Sequence, residues 1–175
     1  MSEENIWQEW NDFIRIQKHW MLNQFQIVMG YIQIGKPELA FNYIKKASNL
    51  VQDTTAFSKM QDAEFGVRLC LIWWNMCEGG IMLRPIINEE LTVPDKENFF
   101  KGFTLFMDDL KVLYLPYLGE RTVNWQIITK ENTIVSILKC VDDCKLPNLY
   151  VENMPFQGKI NVEDSKISYT YKLSR

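Results

Sequence analysis

The sequence lacks several features that would point directly to a function. It has a single histidine, His19, and no run of apolar residues long enough to span a membrane. The first residues, Met1 to Asn5, are acidic where a secretory signal would be basic and then apolar. The chain has 19 Lys and Arg against 22 Asp and Glu, so it offers no basic surplus for the phosphates of nucleic acid. We therefore expect a cytoplasmic protein with no membrane partner, and we do not expect nucleic acid as its ligand.

The four cysteines do not indicate a metal site. Cys70 and Cys77 lie two helical turns apart, and only Cys140 and Cys144 approach the spacing of zinc ligands. His19 is distant in sequence and belongs to no recognisable nucleophile motif. We expect the cysteines to be buried free thiols and His19 to lie on a helix surface or at an interface. No catalytic residue, metal or cofactor is predicted, which favours a non-enzymatic protein without excluding an enzyme.

The stretch from Asn5 to Leu50 predicts two amphipathic helices folded back on each other. Apolar residues recur at steps of three and four, which places them on one face of each helix. Gly35 provides a stop for the first helix, and Pro37 fits the first turn of the second. The apolar positions are Ile6, Trp10, Phe13, Ile14, Met21, Phe25, Val28 and Ile32, then Leu39, Ala40, Tyr43, Ile44, Ala47 and Leu50.

The centre of this hairpin resembles the core of a tetratricopeptide repeat, in which small residues let two antiparallel helices pack closely. The residues that carry the resemblance are Tyr31, Gly35, Ala40, Ile44 and Ala47. It covers one repeat, about Met21 to Gln52, and implies peptide binding by the hairpin. Gln24 and Val28 replace the family's tryptophan and glycine, and no second copy follows, although stacked arrays need about three repeats. An ordinary αα-hairpin is the preferred interpretation.

Two further helices are predicted before the chain changes to β-structure. The first runs from Thr55 to Glu78, and the second runs from about Asp95 to Leu110 with Asp95 as its N-cap. Between them, Ile81 to Asn98 loses periodicity and is predicted to be an acidic loop.

From Thr122 onward the period of the apolar residues changes to two, which is typical of strands. Residues 122–129 alternate clearly, and the tail from Lys159 to Leu173 predicts a β-hairpin. Residues 133–141 fit either a strand or a helix, and that choice stays open.

These elements together predict a single α+β domain over residues 1–175. An N-terminal helical hairpin plus further helices are expected to pack on a C-terminal antiparallel β-sheet. Residues 5–110 are then mainly helical, and residues 122–175 are mainly antiparallel β. The chain is long enough for one sizeable core, and no break in composition divides it.

The high aromatic content and slightly acidic balance favour a non-enzymatic protein-binding domain. Small inhibitors and immunity-type proteins act through acidic, aromatic-rich surfaces of this kind, so we expect another protein with a basic surface as the partner. Asp108 and Asp109 stand near the predicted end of their helix, where carboxylates are unfavourable, which indicates a function unless they are simply solvated. The candidate partner-binding residues are Glu89, Glu90, Asp95, Asp108 and Asp109.

Two alternatives remain open. An enzyme or small-ligand-binding domain would have its site between the C-terminal sheet and the helices. Residue types suited to such a site are Tyr114, Tyr117, Arg121, Trp125 and Asp142. Homo-oligomerisation would instead bury the excess apolar stripe of the first helix against a second copy of the chain.

Overall fold

The computed structural model describes residues 3–88, 90–91, 93, 95–118, 122–130, 133–141, 158–163 and 166–172. The chain divides into two compact units, Met1–Thr55 and Ala56–Arg175. The boundary between them falls in the last turn of the second helix. The expectation of a single domain over residues 1–175 stays a prediction.

The first unit is built from two long helices, as the sequence predicts. Helix α1 spans Glu3–Gln33, and helix α2 spans Pro37–Ser58. Gly35 lies in the turn at φ +70°, a conformation that residues with a side chain rarely adopt. The Lys36 amide donates to the Tyr31 carbonyl at 2.8 Å and closes the end of α1. Helix α1 alone has 31 residues, nearly the length of a whole tetratricopeptide repeat of about 34, so the hairpin is too long for that resemblance.

The second unit combines two helices with a five-stranded sheet. The strand order is β1-β2-β3-β5-β4, in which β1 runs parallel to β2 and the other neighbours are antiparallel. The α+β fold class is therefore confirmed, and the open choice for residues 133–140 resolves to a strand. The elements are α3 (Ala63–Glu78), β1 (Met82–Ile87), α4 (Lys96–Leu118), β2 (Thr122–Lys130), β3 (Thr133–Cys140), β4 (Gly158–Glu163) and β5 (Lys166–Lys172).

Three elements of this unit differ from the sequence prediction. Helix α3 begins at Ala63 rather than at Thr55, because α2 continues to Ser58. Strand β1 lies within the stretch predicted to be a loop, because its Arg84-Pro85 pair is typical of a turn. Pro85 is tolerated there since β1 is an edge strand with β2 on one side only. Helix α4 continues to Leu118 rather than ending at Leu110.

The core of the second unit is an aromatic cluster between the sheet and the helices. Trp125 of β2 is fully buried and stacks on Phe103 of α4 with 5.9 Å between ring centroids. Its indole N–H donates to the Ser136 hydroxyl at 3.0 Å, so the one polar atom of the ring is satisfied. Phe106 stacks on Tyr169 of β5 at 5.0 Å. Burial, with a smaller contribution from the neighbouring Tyr171 hydroxyl, raises the pKa of Tyr169 to about 12.

Gly66 marks a close approach between α3 and the last turn of α2. A Cβ at Gly66 would lie 2.5 Å from the backbone oxygen of Phe57, so Gly66→Ala should lower the free energy of unfolding by about 1–3 kcal/mol. The control is Gly30→Ala in α1, where a Cβ meets nothing within 4 Å and better helix propensity should stabilise by about 0.5–1 kcal/mol. Thermal unfolding measures both variants, and equal behaviour would contradict the close packing at Gly66.

Candidate functional site

The acidic residues predicted to bind a partner are spread along the second unit. Glu90 lies in the turn that follows β1, Asp95 directly precedes α4, and Glu89 lies outside the described residues. Asp108 and Asp109 are exposed, about 20 Å along the helix from Asp95 at 1.5 Å per residue. Because α4 continues past them, the argument that they stand at an unfavourable helix end is wrong. Their partner-binding role stays a prediction.

Asp95 has a structural role that the sequence anticipated. One carboxylate oxygen accepts from the Asn98 amide N–H at 3.2 Å, and the other accepts from the Asn98 side chain at 2.7 Å. The Asp95 carbonyl accepts from the Phe99 amide at 3.1 Å. These bonds make Asp95 the N-cap of α4 and satisfy backbone donors that the helix itself leaves unpaired.

We expect Asp95→Ala to reduce the free energy of unfolding by about 1 kcal/mol, because α4 loses its cap. Asp109→Ala, at an exposed position within the same helix, should leave stability unchanged or slightly raised, since Ala is the better helix former. Urea unfolding of the two variants measures the difference. A cost at Asp109 as large as that at Asp95 would contradict the capping role.

The residue types proposed for a small-ligand site do not line a described cavity. Trp125 is 0% exposed and forms part of the core. Tyr114 and Tyr117 lie in α4, but their side chains are outside the described part of the structure, as are Arg121 and Asp142.

No disulfide joins the thiols described in the structure, and Cys70 is poorly suited to chemistry. Burial, reinforced by the nearby Cys77, raises the pKa of the Cys70 thiol to about 12. The thiolate that nucleophilic attack requires is therefore scarce at neutral pH. Within the described ranges, no group of three or more His, Cys, Asp or Glu residues could hold a metal ion.

The hairpin exposes far more apolar surface than the second unit does. Of the large apolar side chains that are exposed in the described residues, fourteen lie in the hairpin and four in the second unit. Phe13 and Ala40 are the buried apolar residues described in the first unit. The amphipathic faces predicted from the sequence therefore exist, but the described part of the chain leaves much of them exposed.

One row of these side chains follows the heptad spacing of a helical bundle. Trp7, Ile14 and Met21 are seven residues apart along α1, and so are Phe25 and Ile32. Their exposures lie between 46% and 66%. We call these five residues the apolar seam.

An open groove of about 370 Å³ runs beside the seam, between α1 and α2. Its walls are mainly aliphatic and aromatic, and a bundle of hairpins fills such a groove with side chains from a neighbouring helix. Residues that line it include Met21, Phe25, Val28, Ile44, Ala47 and Val51.

His19 lies on a different face of α1 from the seam. At 100° per residue it is roughly 130° around the helix from the seam, and its side chain is exposed. Arg15 precedes it by one turn and pairs with Asp12 at 2.9 Å, while Asn23 follows it by one turn. A partner that covers the seam therefore leaves His19 open to solvent. The sequence prediction placed His19 on a helix surface but assigned it no chemistry.

Residues 1–60, which contain the whole seam-bearing hairpin and His19, match the family described as Sensor_kinase_SpoOB-type, alpha-helical domain. The match ends just after α2 and does not include α3, α4 or the sheet. No curated protein matches the chain at a significant level.

Three solved structures of similar arrangement are histidine kinases. Acinetobacter baumannii histidine kinase AdeS has 11% identity, with 90% of this chain and 98% of that chain covered and a TM-score of 0.44. Histidine kinase ThkA, solved in complex with response regulator protein TrrA, has 11% identity, coverages of 93% and 61%, and a TM-score of 0.42. Erythrobacter litoralis EL346 blue-light activated histidine kinase has 15% identity, coverages of 87% and 63%, and a TM-score of 0.43. The chain thus spans less than two thirds of the length of the ThkA and EL346 structures.

The interpretation as an inhibitor or immunity-type protein is wrong, because the helical segment matches a sensor-kinase family. That interpretation rested on aromatic content and mild acidity, which are bulk properties. Many of the aromatic residues are buried in the core of the second unit, Phe99, Phe103 and Trp125 among them, and so cannot contact a partner. No helix in the described part of the chain has both the length and the apolar character needed to cross a membrane.

Proposed function

We propose that the hairpin is a phosphotransfer module of sensor-kinase-type signalling, in which two copies pair through the apolar seam and His19 carries the phosphoryl group. The observation that carries this proposal is the position of His19. It is the only histidine of the chain, it is exposed on α1, and it lies inside the segment that matches the sensor-kinase helical domain.

The surroundings of His19 suit transfer between proteins. A neutral imidazole attacks phosphorus through its unprotonated nitrogen, so an N–P bond forms while the P–O bond of the donor breaks. The N–H proton on the other ring nitrogen is then released to solvent. Arg15, one turn away on the same side of α1, brings a guanidinium that can pair with phosphate oxygens. Exposure of His19 lets a partner protein deliver or accept the group.

Pairing of two copies is supported by independent features of the same helix. The apolar seam repeats every seven residues, and the neighbouring groove is open and apolar. Helix α1 is about 45 Å long at 1.5 Å per residue, enough for four heptads of contact. Two hairpins paired along this seam form a four-helix bundle, which buries apolar side chains that a single hairpin leaves in water.

We expect the purified chain to be labelled by phosphoramidate, a small phosphoryl donor, and His19→Gln to abolish the label. Phosphohistidine is acid-labile and alkali-stable, so the pH stability of the label identifies the bond. Gln26→Ala changes an exposed residue two turns along the same side of α1 and should leave the label intact. An acid-stable label, or labelling that persists in His19→Gln, would overturn the assignment.

Phe25→Glu should weaken pairing at least about 100-fold, because each interface would place two carboxylates in an apolar environment. Sedimentation equilibrium measures the effect against twice the chain mass of 20.7 kDa. Val112→Glu is the matched control, since Val112 is an exposed apolar residue of α4 at 76%. A wild-type chain that stays monomeric at micromolar concentrations would contradict the proposal.

A further inference from the structure

The sheet of the second unit has two unequal faces. Side chains that alternate with the core residues along β1, β2, β3 and β5 are half-buried or exposed, and we call this side the outer face. Its members include Arg84, Asn124, Lys139 and Lys166, which lie on consecutive strands. Their neighbours along each strand, such as Val123 and Leu138, are buried in the core.

A row of basic residues crosses the outer face at one end. The register pairs Arg84 with Asn124, Asn124 with Lys139, and Lys139 with Lys166. The row ends at Glu163 of β4, opposite Lys166. Like charges directly opposite each other on neighbouring strands are destabilising, which applies to Lys139 and Lys166, although Lys166 also has Glu163 opposite it on β4.

A second basic row lies at the other end of the same face. The register pairs Lys130 with Thr133 and Thr133 with Lys172. Six residues along β2 separate the two rows, which corresponds to about 20 Å. Lys159, opposite Thr170, adds a further basic position. Among the residues of this face whose side chains the structure describes, four are basic and none is acidic, in a chain whose net charge is −3; the four are Arg84, Lys139, Lys166 and Lys172.

The composition of the outer face restricts which anion it suits. None of its positions in the described strands is aromatic, so it has no platform for stacking nucleic-acid bases. Protein interfaces favour aromatic residues and arginine and are depleted of lysine, whereas three of these four basic residues are lysines. A lipid headgroup layer needs no defined geometry, and clusters of four to eight basic residues are typical of binding to anionic lipid.

We propose that the outer face binds an anionic lipid surface, with both basic rows resting on the headgroup phosphates. Helices α3 and α4, on the other side of the sheet, carry exposed carboxylates such as Glu78, Asp108 and Asp109. The same helices also carry basic residues such as the exposed Lys101, so an anionic surface would attract the sheet side more strongly than the helical side. The sequence expectation of no membrane partner rested on the lack of a spanning segment, which surface binding does not require. This inference is independent of His19 and of pairing.

The test is flotation of the full chain with vesicles at low ionic strength. One set is phosphatidylcholine alone, and in the other about a third of the lipid is phosphatidylserine. The triple variant Arg84→Gln, Lys139→Gln and Lys172→Gln should lower the partition coefficient for anionic vesicles roughly 100-fold, since each cation contributes about fivefold. The control triple variant changes Lys45, Lys59 and Lys101 to Gln. These lysines are exposed and lie outside the sheet, and their substitution removes the same total charge.

Retention of binding in the control variant and its loss in the outer-face variant would support the proposal. Equal loss in both would show a diffuse charge effect and overturn it, and so would failure of the wild-type chain to bind anionic vesicles. Binding to duplex DNA or to polyglutamate, but not to vesicles, would assign the face to another anion. Lys139→Gln alone should raise the melting temperature while weakening binding, because it removes the repulsion with Lys166. A lowered melting temperature would attribute any binding loss to unfolding.

Discussion

The stacking of Trp125 on Phe103 is the contact on which the second unit depends. Trp125 sits near the middle of the sheet, and its ring meets Phe103 of α4 and Phe57 from the end of α2. The buried indole N–H would cost stability if it were unpaired, but Ser136 on the neighbouring strand accepts its hydrogen bond. Trp125 of β2 therefore contacts α4 and the end of α2 through its ring and β3 through its hydrogen bond. The side of the sheet that faces the helices is buried by this packing. The outer face is therefore the side of the sheet that remains available for binding.

The hairpin faces the opposite physical problem, because two helices cannot enclose a core of their own. Helical stability in proteins comes mostly from packing an apolar face, and the apolar seam is left in water. A chain with so many exposed apolar side chains gains by pairing them. Pairing and phosphotransfer are compatible since the seam and His19 occupy different sides of α1. The same helix can be held rigidly on one side and be reached by a partner on the other.

The periodic elements could be predicted from the sequence, whereas the surfaces that cover them could not. The spacing of Phe13, Met21 and Phe25 correctly indicates a helix, but the pattern of apolar residues is the same whether the covering surface comes from the chain itself or from another molecule. Strand β1 was missed because its Arg84-Pro85 pair is typical of a turn, and only the pairing with β2 makes it a strand. The row of basic residues could not be predicted from the sequence, because Arg84, Lys139 and Lys166 are spread over 82 residues. Only the register of the strands brings them together.

His19 was passed over for a chemical reason. Serine and cysteine nucleophiles require a second group that activates them, and the sequence shows no such motif around His19. A neutral imidazole is already nucleophilic near neutral pH, so a phosphoryl-accepting histidine needs access more than it needs an activating neighbour. Access is a property of the folded helix, namely the exposed face shared with Arg15 and Asn23. The available sequence signal was the position of the chain's only histidine, which lies away from the apolar seam and one turn from the polar residues Arg15 and Asn23.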